Sequence, residues 1–180
     1  MMKVDLHTLG DIEIDESRLC EYCTDDSIHL EISYNSDFRN AVFLRKIADF
    51  ICKHYGVHPK WRTRIVLIVD ELNNNAIEYG TLKGGSNLFE FQLVKNTCGN
   101  IDIRISVTDA GNGLHAKNAG NMKELRDQHN SKDFSKHHSI RGRGLFLIIS
   151  RLVDSLEFED VDKKGLKVIV TKSLQVHSDS

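Results

Sequence analysis

The stretch VDELNNNAIEYG, Val69 to Gly80, decides how the rest of the chain is read. The apolar residues Ile65, Val66, Ile68, Val69, Leu72, Ala76 and Ile77 recur at helical spacing, so a helix over about 60–79 is predicted. Its middle nevertheless holds an acid and three consecutive asparagines. Asparagine competes with the backbone for hydrogen bonds and is a mediocre helix former. Glu71 and Asn75 stand four apart, which sets both side chains on one helical face. A carboxylate and an amide oxygen are hard ligands, suited to magnesium and phosphate chemistry. Asn74 lies about 100° round the helix from Asn75 and Asn73 further still. Both are expected at a pocket rim, partly solvated or hydrogen-bonded.

Working outward, HLEISY from His29 alternates apolar and polar residues as a half-buried strand does. The following segment, SDFRNAVFLRKIADFICKHYG, offers Ser36 or Asp37 as a helix cap. Phe38, Val42, Ile47, Phe50 and Ile51 form its apolar set, and Gly56 ends it. Pro59, the only proline, opens the next helix. LFEFQLVK and IDIRISVTD read as strands joined by the turn NTCGN. Residues 114–140 are polar and poorly patterned, as a functional lid would be. GRGLFLIISRLVDSLEF then predicts an apolar helix running into a strand. That strand pairs across DKKG with GLKVIVTKSL. This order predicts an α+β fold, a two-layer α/β sandwich whose mainly antiparallel mixed sheet carries its helices on one face. The domain is expected over 28–180. Residues 1–27, acidic and irregular, are an extension of unknown role.

Composition narrows the function. The 180 residues are 40% hydrophobic, enough for one domain with a core. Net charge is −2, from 24 basic and 26 acidic residues, which argues against direct nucleic-acid binding. The N-terminus does not read as a signal peptide and no segment has the length and apolarity of a membrane span, so a cytoplasmic protein is expected. Cys20 and Cys23 form a C-x-x-C, but Cys52 and Cys98 are isolated and supply no second half, so ordinary thiols are expected.

Two further motifs follow the helix. VTDAGNG, Val107 to Gly113, ends a strand on Asp109 and turns through Gly111 and Gly113. An aspartate there can accept from an exocyclic amine, and the glycines let backbone pass close to a flat ring. GRG, Gly142 to Gly144, opens a helix, whose exposed N–H groups form a phosphate site. Each alone is commonplace: E-x-x-x-N is often a solvated stripe, D-x-G-x-G a turn, and GRG a loop lacking the Gly-Lys-Ser/Thr of a P-loop. Their order and placement together are specific.

In that order the motifs resemble the GHKL ATPases, the Bergerat fold shared by gyrase B and histidine kinases. ELNNNAIEYG resembles the N box, DAGNG the first glycine box and RGRGLFLI the second. Within the superfamily, RGLFLI-x-x-x-LVD-x-L-x-F is closest to the anti-sigma factor serine-protein kinases. The resemblance implies ATP and Mg2+ as cofactors. It implies Glu71 as general base and Asn75 as the magnesium ligand. Asp109 would read the adenine amine, with Gly111 and Gly113 shaping the pocket. Gly142 and Gly144 would close on the phosphates, Arg141 or Arg143 would neutralise transferred charge, and Thr171 would touch adenine through water. The 114–140 segment would be the ATP lid. Tyr79 departs from the histidine that many members place before the last glycine of the N box.

The implied function is an ATP-dependent serine-protein kinase. It would phosphorylate a STAS-fold anti-sigma factor antagonist and bind a sigma factor in a partner-switching pathway. The alternative is an ATP-binding module that sequesters a partner without transfer. A detached histidine-kinase domain fits less well, because only His54 stands on the first helix and no helical pair precedes it. A homodimer is expected, with Phe43 and Phe50 as interface candidates.

Overall fold

The computed structural model describes residues 2–5, 19–21, 23–130, 151–161 and 165–175. Its elements are strand β1 (Met2–Asp5), β2 (Ser27–Asn35), helix α1 (Phe38–His54), α2 (Pro59–Asn75) with a π turn (Ala76–Gly80), β3 (Ser86–Lys95), β4 (Ile101–Thr108), α3 (Ala119–Asn130), β5 (Ser155–Val161) and β6 (Gly165–Leu174). The six strands form one sheet in the order β1-β2-β3-β4-β6-β5. β1 runs parallel to β2 and every other pair is antiparallel. The fold is the expected α+β two-layer sandwich.

Register follows the two-residue alternation. Ile28, Leu30, Ile32 and Tyr34 of β2 lie level with Leu93, Phe91, Phe89 and Asn87 of β3. Phe89, Phe91 and Leu93 in turn face Val107, Ile105 and Ile103 of β4. All of these are buried, and the apolar ones join one cluster with Leu44, Ile47 and Ile51 of α1 and Ile65, Ile68 and Val69 of α2. Burying each large apolar side chain contributes roughly 1.5–3 kcal/mol. The alternate positions form the other face, where Glu90 accepts from Ser106 Oγ and Lys167 Nζ, both at 2.6 Å.

Asp37 caps α1, its carboxylate accepting from Arg39 N at 2.8 Å. The buried stripe of α1 is Ala41, Leu44, Ile47, Ala48, Ile51 and Cys52. Phe38 and Val42, expected in the apolar set, fall to one side of that stripe and stay 54% and 43% exposed. Phe43 and Phe50 are partly buried and pack against the core. Two described parts of the 1–27 segment are joined to the domain. Met2–Asp5 extends the sheet edge, and Leu19 is buried in the core. Nothing in the pattern of that acidic stretch disclosed either contact. Part of the expected lid, Ala119–Asn130, is helical, and Asp160 of β5 accepts from Ala119 N at 2.7 Å at its start. Among the described residues no helix is long and apolar enough to cross a membrane. The four cysteines are free thiols, and no described cluster of His, Cys, Asp or Glu could hold a metal.

Candidate active site

Helix α2 carries Glu71 and Asn75 one turn apart, and Asn75 Nδ2 donates to Glu71 Oε1 at 2.9 Å. Glu71 is only 8% exposed. Burial raises its pKa; the Asn75 amide opposes this, and the charges of Asp70 and Glu78 push it further up. A carboxylate so placed holds a proton more readily than one in water, as a general base must. Since Asn75 Nδ2 is committed to Glu71, its Oδ1 points away from the carboxylate. This hard oxygen suits a magnesium ion that takes its other ligands from phosphate and water.

Asn73 corrects the expectation of a rim position. It is fully buried, accepting from the Tyr34 hydroxyl at 2.6 Å and donating to the Val69 carbonyl at 2.7 Å. Two residues along a helix are about 200° apart, so Asn73 faces away from Glu71 and towards the sheet. Asn74 is half-buried.

At Ala76 the helix widens into a π turn ending at Gly80, a feature frequent at functional sites. The turn brings Gly80 against Asp109, just beyond β4. A Cβ on Gly80 would fall on the Asp109 carboxylate, and one on Gly113 on the Tyr79 carbonyl. Asp109 Oδ1 accepts from Gly111 N at 2.8 Å and from Leu166 N at 3.0 Å. Among the described residues no hydrogen-bond donor meets Oδ2, on the Gly80 side, which suits it to an outside donor such as an exocyclic amine. Burial raises the Asp109 pKa against the pull of those two N–H groups. Gly111 sits at φ 62°, a conformation that favours glycine.

Cross-links hold the two segments together. Gly113 N donates to Gly80 O at 3.1 Å, Leu82 N to Asn112 Oδ1 at 3.0 Å, and Ala110 N to Thr81 Oγ1 at 2.9 Å. The Thr81 hydroxyl donates in turn to Asn87 Oδ1 at 2.6 Å, and both residues are buried. Sequence reasoning assigned no site role to Gly80, Thr81, Asn87 or Leu166. Gly80 alone carried a signal, as the glycine ending the N-box stretch. The others act through contacts that no local spacing reports.

The structure brings Glu71 and Asn75 together on α2, and Asp109, Gly111 and Gly113 together against its end. Glu71 and Gly80 stand nine positions apart, on the order of 10 Å along the helix and its π turn. A phosphate-sized group at one end and a flat base at the other would span that length. Thr171 is not brought to this place. It stands five residues along β6 from Leu166, on the face opposite Val170, where its hydroxyl meets that of Ser155 at 2.7 Å. Arg141, Gly142, Arg143 and Gly144 lie outside the described residues.

A family profile, the histidine kinase-like ATPase domain, matches residues 35–172. The chain belongs to that family. The match spans both the α2 motif and the Asp109 turn, so the two ends of the site lie within the ATPase domain. No curated protein sequence matches the chain. Among solved structures, the SiaB–SiaC complex from Pseudomonas aeruginosa holds a similar chain with a TM-score of 0.49 and 9% identity. The likeness covers 92% of this chain and 100% of that one. A histidine kinase-like ATPase domain is an ATP-using fold. The donors here fit that use: a bare Gly80 beside an aspartate for the base, and an amide oxygen beside a buried carboxylate for the metal–phosphate end.

Proposed function

We propose that this domain is a serine-protein kinase of the anti-sigma factor type, acting as a homodimer in a partner-switching pathway. Its substrate would be a serine on a STAS-fold anti-sigma factor antagonist, and its alternative partner a sigma factor. One observation carries the enzymatic half of the reading. Glu71 is buried, held in place by Asn75 and raised in proton affinity, none of which nucleotide binding alone requires. Asp109 would accept from the adenine amine through Oδ2, and the missing side chain at Gly80 lets that carboxylate seat against the π turn. Asn75 Oδ1 would hold magnesium, which supplies charge neutralisation on the phosphates. Glu71 would take the proton of the attacking serine hydroxyl, within a site whose main contributions are positioning and charge. The anti-sigma assignment rests on the resemblance of the second glycine box.

The test is incubation with γ-labelled ATP, magnesium and the STAS-domain proteins of the same genome, followed by phosphoserine analysis. Label on a STAS serine, lost in Glu71→Gln, is the expected result. Saturable ATP binding without label on any of them would refute the kinase and leave a nucleotide-set binding module.

A further inference from the structure

Asn73 faces away from the candidate site, yet along the helix it stands between Glu71 and Asn75. Its partner Tyr34 lies level with Asn87, and Asp109 follows directly on Thr108, the last residue of β4, which stands opposite Leu88. Tyr34 and Asn87 are thus neighbours across β2 and β3, and Asp109 lies just past the end of β4, the next strand. α2, its π turn and the residue that follows the turn meet all three. Asn73 accepts from Tyr34, Thr81 donates to Asn87, and Gly80 abuts Asp109.

Each helical residue turns the chain by about 100°. With Glu71 at zero, Asn75 lies at about 40° and Asn73 at about 200°. Val69, Leu72 and Ala76, all buried, fall between them. Apolar contacts are non-directional, so that stripe alone tolerates a small rotation of α2. A hydrogen bond weakens steeply as it bends. The Tyr34–Asn73 bond, at 2.6 Å and fully buried, therefore fixes what the apolar stripe leaves soft.

We propose that Tyr34 and Asn73 are a positioning pair, whose buried hydrogen bond sets the rotation of α2 so that Glu71 and Asn75 point together into the nucleotide site. This rests on the reading of Glu71 and Asn75 given above. Neither member touches substrate. A rotation of about 10° carries a side-chain tip 5–6 Å from the helix axis through about 1 Å. Displacement of that size costs a positioned reaction on the order of 100-fold.

The test is the double variant Tyr34→Phe with Asn73→Leu, which replaces both partners by apolar groups of similar shape and so leaves no buried polar atom unsatisfied. Its melting temperature is expected to stay close to that of the unaltered protein. With magnesium and ATP, kcat falls about 10- to 100-fold while KM changes little. A second readout needs no nucleotide: the Asn75 side-chain amide signal in a nitrogen–proton correlation spectrum, which the bond to Glu71 holds, shifts or broadens. An unchanged Asn75 signal overturns the proposal, as does a shifted one with kcat within about twofold. Should the unaltered protein show no turnover, the enzymatic reading fails and the Asn75 signal alone decides the pair. If the double variant does not fold, Tyr34→Phe alone removes one oxygen and is judged by the same signals.

Discussion

Replacing Gly80 by alanine tests whether the π turn and Asp109 form the base end of a nucleotide site. The added Cβ would fall on the Asp109 carboxylate and lie 2.6 Å from the Asp109 Cβ. Carbon atoms pack at about 3.5–4.0 Å, so one partner must retreat by about 1 Å. Gly80 does not require a left-handed backbone, so the cost comes from this overlap and not from φ. Asp109 is the partner with less freedom, because its Oδ1 holds both Gly111 N and Leu166 N. Moving it breaks or bends a hydrogen bond to a charged group, worth about 1.5–3 kcal/mol. If the same displacement removes the bond to the adenine amine, ATP affinity falls about 10- to 150-fold. Overpacking adds a stability loss of about 1–3 kcal/mol. Titration calorimetry with ATP, beside a thermal melt, measures both. Gly84→Ala is the control: Gly84 sits at φ 83° with nothing near its Cβ, so the variant should lose stability but keep ATP affinity. Gly80→Ala binding ATP within about threefold of the unaltered protein would refute the placement of the base against Asp109.

Three further outcomes are expected. Glu71→Gln keeps the acceptor for Asn75 but loses the base, so ATP affinity should hold while phosphoryl transfer drops by about 100-fold or more; a transfer assay beside calorimetry checks it. Asp109→Asn keeps Oδ1 for the two backbone N–H groups but turns Oδ2 into a donor, so calorimetry should show ATP binding weakened at least about tenfold with little change in melting. Stability should respond to pH through Glu71 and Asp109, both raised by burial. The native state binds more protons than the unfolded chain between the ordinary values, 4.5 and 3.8, and the raised ones, so these groups favour folding as pH falls through that window. Glu90 and Asp154 act oppositely: burial alone would raise them, but bonds from Lys167 and Ser106, and from Lys172 and Ser173, hold them low, and their stabilisation is lost in stronger acid. Urea melts across pH should therefore show the Glu71→Gln, Asp109→Asn double variant losing the gain as pH falls towards the ordinary carboxylate values, but not the acid collapse.

By itself, the sequence determined whatever depends on neighbours along the chain. Period-two alternation marked β2, β3 and β4, turn residues marked the hairpin at 96–100, and Pro59 and Gly56 separated the two helices. Four-residue spacing put Glu71 and Asn75 on one face, because helix geometry fixes the angle between them without help from the rest of the fold. Tertiary structure decided which residues meet across long separations. Tyr34 finds Asn73, 39 positions away, and Leu166 holds Asp109 from 57 away. It also decided that Asn73 is core, that Phe38 and Val42 are surface, and that Thr171 turns to the far face of the sheet. The physical reason is that spacing orients a side chain within its own element only. Which element lies opposite is set by strand register and by apolar packing, and packing is non-directional until buried hydrogen bonds such as Tyr34–Asn73 select one arrangement.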